Sequence, residues 1–298
     1  MTSELKGLLF ASSTALLWGF LAIFLKFALF DLDSLTIVWF RFFTAFIIIT
    51  SIFSLKNPSY LKILYKPPFL LIPAALGLSF NYLFYLMGLD YTNPSIVNII
   101  IQIGPVMLAT IGILVYKEKI SFRQALGFLV ALVGLAIFYW DQLNSGGEVY
   151  KDLTKGVIIT LAGAVSWVVY AALQKKLVKD HSAQKLNMFI YFVPTIIFIP
   201  WVDFQGFTEL NTNAWLVLVF LGLNTLLAYG GLGEALKYAP ANKVSIIITL
   251  NPMITLVAMA VLDTYNFEWL GKEMTSVVGY TGAALVVIGA ILVVLRRK

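Results

Sequence analysis

Ten apolar runs separated by polar turns, each near the roughly 20 residues needed to cross a bilayer, constrain this chain more than any other feature. In lipid every backbone N–H and C=O must find a partner within the protein, which leaves helices and closed barrels. Barrel strands alternate apolar and polar residues, whereas these runs are continuous, so helices are expected. The spans are read as Gly7 to Phe30, Ser34 to Leu55, Phe69 to Gly88, Ser95 to Tyr116, Phe122 to Trp140, Leu153 to Gln174, Lys185 to Val202, Asn213 to Gly233, Asn242 to Leu262 and Ser276 to Leu295. Composition agrees. The chain is 60% hydrophobic and 12% charged, against about 25% charged for a soluble domain. The expected fold class is all-α integral membrane with ten transmembrane helices.

Basic residues set the orientation, because cytoplasmic loops hold the excess of Lys and Arg. With the amino terminus inside, 16 of the 21 basic residues fall on the inner side and three, Lys151, Lys155 and Lys272, on the outer. Lys26 and Arg41 lie within or at the edge of spans. Both termini are therefore expected to be cytoplasmic, with the opening MTSELKG leading into a retained first span.

The chain also repeats itself. Leu89 to Pro105 returns as Leu236 to Pro252 at a constant offset of 147, which matches Tyr91 with Tyr238, Val97 with Val244 and two isoleucine triplets. At an offset of 149, Gly7, Trp18, Lys26 and Asp31 fall on Gly156, Trp167, Lys175 and Asp180; at 155, Gly127 and Gly134 fall on Gly282 and Gly289. The expected organisation is a first five-helix repeat over 1–140, a linker over 141–152 and a second repeat over 153–298. An odd number of spans per unit makes the second enter from the opposite face, giving an inverted repeat. Such halves can exchange roles around a central site, which is the logic of alternating access.

Inventory excludes several chemistries. Cys is absent, so disulfides and thiolate sites are impossible. The single histidine, His181, sits in a loop beside Asp180, and no histidine metal cluster can form. All 15 Asp and Glu lie in loops or at span ends. No buried nucleophile, base or metal cluster is available, so no catalytic residue, metal or cofactor is expected. Proton relays use buried carboxylates or histidines, so weak or indirect proton coupling is expected. The basic residues are dispersed, not gathered with aromatics, and nucleic acid is not an expected partner.

These residues resemble the EamA family of the drug/metabolite transporter superfamily. The first half carries Leu17-Trp18-Gly19, Lys26, Arg41-Phe42 with Ala45, Leu89, Tyr91, Pro105, Lys117-Glu118, Gln124, and Gly127 with Gly134. The second carries Trp167 with Tyr170, Ala235-Leu236, Pro252, and Gly282 with Gly289. One departure is Leu262-Asp263 with Glu268, where the family usually has Gly-Glu. The resemblance implies a ten-helix carrier whose first, third, fourth, sixth, eighth and ninth helices surround a central cavity, with the fifth and tenth more peripheral.

Polar side chains at depth are the candidate substrate contacts, since an unpaired amide or hydroxyl in hydrocarbon costs several kcal/mol. Asn98 with Gln102, and Ser245 with Thr249, are each spaced i, i+4 on one helix face; the alternative is helix-to-helix hydrogen bonding. Asn81, Tyr82 and Tyr85 form a polar face in the third span. Tyr82 maps onto Tyr229 of the eighth, which also carries Asn224. Trp18 and Trp167 lie near mid-depth, unlike interfacial tryptophans, and Tyr170 shares the face of Trp167. Arg41 either snorkels towards Asp31 or Asp33 or clamps a carboxylate; Lys26 is expected to snorkel.

The function expected is a secondary transporter moving a small polar organic metabolite, an amino acid or related amine, as exporter or exchanger. Alternatives are import of a methylated cation such as choline or S-adenosylmethionine, caged by the aromatic faces, or lipid flipping. Expected partners are the small-molecule substrate and membrane lipid, the protein being a monomer or homodimer. The expected location is the plasma membrane, a bacterial inner membrane, as a multi-pass protein.

Overall fold

The computed structural model describes residues 3–104, 107, 121–146, 152–178, 180–239, 247–248, 250–265 and 275–294. Among these the regular structure is helical. The main helices are α1 (Ser3–Ala28), α2 (Ser34–Lys56), α3 (Leu71–Tyr91), α4 (Pro94–Ile100), α5 (Phe122–Gly146), α6 (Leu153–Leu177), α7 (Ala183–Ile197), α8 (Thr212–Tyr238), α9 (Asn251–Asp263) and α10 (Val277–Val294). Six of them, α1, α2, α3, α5, α6 and α8, are long and apolar enough to cross a membrane, as expected of an integral membrane protein.

Short polar turns start the helices through side-chain caps, which satisfy amides that have no partner in the first turn. Asp33 accepts from Leu35 N and Thr36 N, Asn93 from Ile96 N, Asp152 from Lys155 N, and Asn211 from Ala214 N. Ser182 caps α7 on Lys185 N, and it lies 149 residues after Asp33. The repeat thus extends to the caps.

Three helix pairs, each joining one half of the chain to the other, dominate the packing: α5 with α10, α3 with α6, and α1 with α8. Small residues permit the close approach, which is how helices associate without a hydrophobic gradient between them. A Cβ on Gly134 would lie 2.6 Å from Val286 N, and one on Gly282 would lie 2.6 Å from Phe138 N. The α1–α8 and α3–α6 pairs exchange under the repeat. Lys6 Nζ lies 4.4 Å from the ring centre of Tyr238, and Lys155 Nζ the same distance from that of Tyr91.

Three segments depart from the expected continuous spans. The fourth is interrupted: α4 ends at Ile100, Gln102 N turns back to Ile99 O (3.2 Å) and Gly104 N to Ile101 O (2.9 Å). The ninth is interrupted at the related place, with Leu250 N bonded to Ile247 O (3.2 Å) before α9 begins. Pro252 in the first turn of α9 has no N–H for the Ile248 carbonyl and crowds it. The seventh helix stops at Ile197, three residues after Pro194, and continues as a 3-10 turn over Ile199–Trp201.

Conversely, α5 runs past Trp140 to Gly146, into residues read as linker. The buried Asp141 side chain accepts from Ser276 N (3.1 Å) and from the Ser276 hydroxyl, while Gln142 Nε2 donates to Thr275 Oγ1 (3.1 Å). Partners at the start of α10 let polar residues extend the helix.

Candidate functional site

A cavity of about 150 Å³ lies where the halves meet, lined by Trp18, Leu21, Arg41, Asn81, Tyr82, Tyr85, Asn98, Ile101, Gln102, Trp167, Tyr229, Ile248 and Asn251. These residues come from α1, α2, α3, α4 and the turn after it, α6, α8, Ile248 before α9 and the first residue of α9. The helices named by the resemblance all contribute, and α2 adds Arg41.

Arg41 is the one charged residue on the described wall. It is 2% exposed. Its Nε donates to Thr225 Oγ1 (3.1 Å), and its Cζ sits 4.5 Å from the centre of the Tyr82 ring. Thr225 donates in turn to Leu221 O (3.1 Å), so its lone pairs face the guanidinium. Neither Asp31 nor Asp33 reaches it, and among the described residues no carboxylate pairs with it. Among the described residues the Nη amines have no hydrogen-bond partner, and Arg41 borders the cavity; a guanidinium edge of this kind can bind a carboxylate by two parallel hydrogen bonds.

Polar side chains also cross-link the walls. The Tyr85 hydroxyl donates to Asn98 Oδ1 (2.6 Å), Asn98 Nδ2 to Thr255 Oγ1 (2.6 Å), and Thr255 to Gly19 O (2.5 Å). This chain ties α3, α4, α9 and α1 together, and Asn98 both bridges helices and borders the cavity. Asn81 Nδ2 donates to Gly163 O on α6 (3.0 Å), and Gln102 Nε2 to Asn251 Oδ1 (3.0 Å). Trp18 meets Tyr229 edge-on at 5.5 Å, and Tyr229 lies 6.2 Å from Tyr82.

Two expected contacts stand behind the wall. Tyr170 packs edge-on against Tyr229 at 6.5 Å. Asn224 is buried, donating Nδ2 to Leu17 O (2.9 Å), while its Oδ1 has no partner among the described residues. Ser245 and Thr249 lie outside the described residues. Lys26 does not snorkel: its amine caps the end of α3, donating to Leu89 O (3.0 Å), Asp90 O (3.4 Å) and Thr92 O (2.8 Å), because free carbonyls at a helix end attract a cation.

The profile of the EamA-like transporter family matches residues 5–140 and 154–295. The chain belongs to this family. An EamA-type membrane transporter therefore owns this cavity. A Haemophilus influenzae protein, 32% identical over 99% of this chain and 96% of its own, is described as an uncharacterized transporter. YhbE of Escherichia coli K12, 33% identical over 95% of this chain and 89% of its own, is described as an uncharacterized inner membrane transporter. A protein of known crystal structure superposes with a TM-score of 0.65 over 97% of both chains at 17% identity, and so shares the fold.

Six residues of this EamA-type site escaped the sequence reading. Leu21 lies three residues after Trp18 on one helix face, a spacing that points to it. Ile101 and Ile248 sit in the repeated triplets but carry no polar atom. Asn251, Thr255 and Thr225 have Gly104, Leu108 and Leu78 as repeat counterparts, so a search guided by symmetry passed over them. An asparagine beside a proline in an apolar span was the available signal for Asn251.

Proposed function

We propose that this transporter moves a small metabolite bearing a carboxylate, an amino acid in the first instance, by alternating access between two inverted five-helix repeats over 1–140 and 153–298. Ten spans, cytoplasmic termini and a bacterial inner membrane complete the reading. The observation that carries it is Arg41, a buried guanidinium facing the cavity with no carboxylate beside it among the described residues. An ion in low dielectric is costly unless paired, and a cargo carboxylate supplies the missing charge. Paired interruptions next to the cavity suit a carrier, since broken helices line substrate sites in many transporters. No acid or histidine is among the described lining residues, which favours exchange or facilitated export over proton coupling.

Size narrows the cargo. A space near 150 Å³ holds an apolar body about as large as benzene, which suits the side chain of a small amino acid. An unpaired arginine repels choline and other methylated cations. Counterflow of radiolabelled amino acids into proteoliposomes tests the proposal. Accumulation by the wild type, reduced about tenfold or more in Arg41→Gln, is the expected result. Transport of carboxylate-free amines with no dependence on Arg41 overturns it.

A further inference from the structure

Asn251 is one point at which the cavity's polar chemistry departs from the repeat. The paired positions Trp18 and Trp167, Tyr82 and Tyr229, and Ile101 and Ile248 all line the cavity, yet the counterpart of Asn251 is Gly104, which has no side chain. Asn251 is 8% exposed and Gln102 is 6% exposed. Their one mutual hydrogen bond, Gln102 Nε2 to Asn251 Oδ1 at 3.0 Å, fixes both amides. Among the described residues, Asn251 Nδ2 and Gln102 Oε1 have no protein partner, and both side chains border the cavity. Exchanging donor and acceptor between the two amides leaves the same offer: one N–H group and one carbonyl. The pair joins the turn after α4 to the first residue of α9, so it ties one half of the chain to the other.

We infer that Asn251 is a specificity-determining residue: with Gln102 it reads the cargo's second polar group, and its neutrality beside the single guanidinium sets which charges the cargo carries. The inference rests on the reading of this cavity as the transport site. Arg41 takes the carboxylate. The Gln102 carbonyl accepts an N–H from an ammonium or an O–H from a hydroxyl, so cargo with a hydrogen-bonding group near the carboxylate is preferred to the bare carboxylate. An amine without a carboxylate meets an unpaired guanidinium and is excluded. Asn251→Asp, nearly isosteric, adds a negative charge and makes the described wall net neutral.

The probes are L-leucine, 4-methylpentanoate and 3-methylbutylamine, which share a branched apolar body and differ in carrying both charged groups, the carboxylate alone or the amine alone. Competition against counterflow in proteoliposomes measures each with wild type, Asn251→Asp, Asn251→Ala, Asn251→Ser and Arg41→Gln. Each variant must first unfold cooperatively in detergent, and Asn251→Ser serves if the aspartate variant does not. In wild type, L-leucine should outcompete 4-methylpentanoate and the amine should be inert. In Asn251→Asp the preference for L-leucine over 4-methylpentanoate should rise about tenfold, with the amine beginning to compete. In Asn251→Ala or Asn251→Ser that preference should shrink. An unchanged ratio in the variants, with carboxylate binding lost in Arg41→Gln, overturns the role of Asn251 and leaves the transport site standing. Carboxylate binding that survives Arg41→Gln, or a wild type that binds neither carboxylate, overturns the site reading and this inference with it.

Discussion

In the first half α2 carries Arg41 where α7 of the second half carries Ile190, and Thr225, which holds the guanidinium, has Leu78 as its counterpart. Ile190 and Leu78 are fully buried in the apolar core. At other positions the halves agree: Trp18 with Trp167 and Tyr82 with Tyr229 in the wall, Lys6–Tyr238 with Lys155–Tyr91 at the ends of the paired helices. The shared residues serve shape and packing. Unshared ones, Arg41, Thr225, Asn251, Asn81 and Tyr85 among them, supply charge and directional hydrogen bonds.

The comparison breaks first at the scaffold. Gly134→Leu and Gly282→Leu should each destabilise by about 3 kcal/mol or more, since even a Cβ there would lie 2.6 Å from backbone nitrogen. Loss of monodisperse protein in detergent checks this, and the two should fail alike. The next effect separates stability from function. Arg41→Met should lower cargo affinity about 10–100-fold while raising the stability of the empty protein by about 1–4 kcal/mol. Ile190→Arg should destabilise without creating a second site, because Leu78 stands where a hydroxyl would be needed. Thermal unfolding with and without cargo reads both.

A smaller effect concerns the cross-links. Asn98→Ala and Thr255→Val should each cost about 0.6–2 kcal/mol, and the double variant less than their sum, since both remove the same bond. The smallest belongs to the matched pairs. Lys6→Gln and Lys155→Gln should lower the melting temperature slightly and to a similar extent, with the difference shrinking at high salt; a large effect of only one would show that the two ends of the molecule are not equivalent.

Much of this was legible in the amino acids. Apolar runs matched to bilayer thickness required helices, and the repeated Leu89–Pro105 segment placed the two fourth-helix equivalents opposite each other. Symmetric tyrosines and tryptophans pointed to the wall, because residues at depth in both repeats meet at the axis that relates them. The interruptions were half visible: Pro105 and Pro252 marked where a helix loosens, but not that α4 would end at Ile100. Asn98 could be read as substrate ligand or interhelical link; only the positions of Tyr85 and Thr255 show that it bonds to neighbouring helices while it borders the cavity. The direction of Arg41 was open between an outward aspartate and an inward cavity. Thr225, 184 residues away, decided it, and no spacing within one helix encodes a contact between two. Hydropathy and periodicity are local properties, so the sequence determined the helices and their duplication by itself. Which polar atoms are already satisfied, and which are left for a cargo, depends on partners from distant segments, and that only the tertiary structure decided.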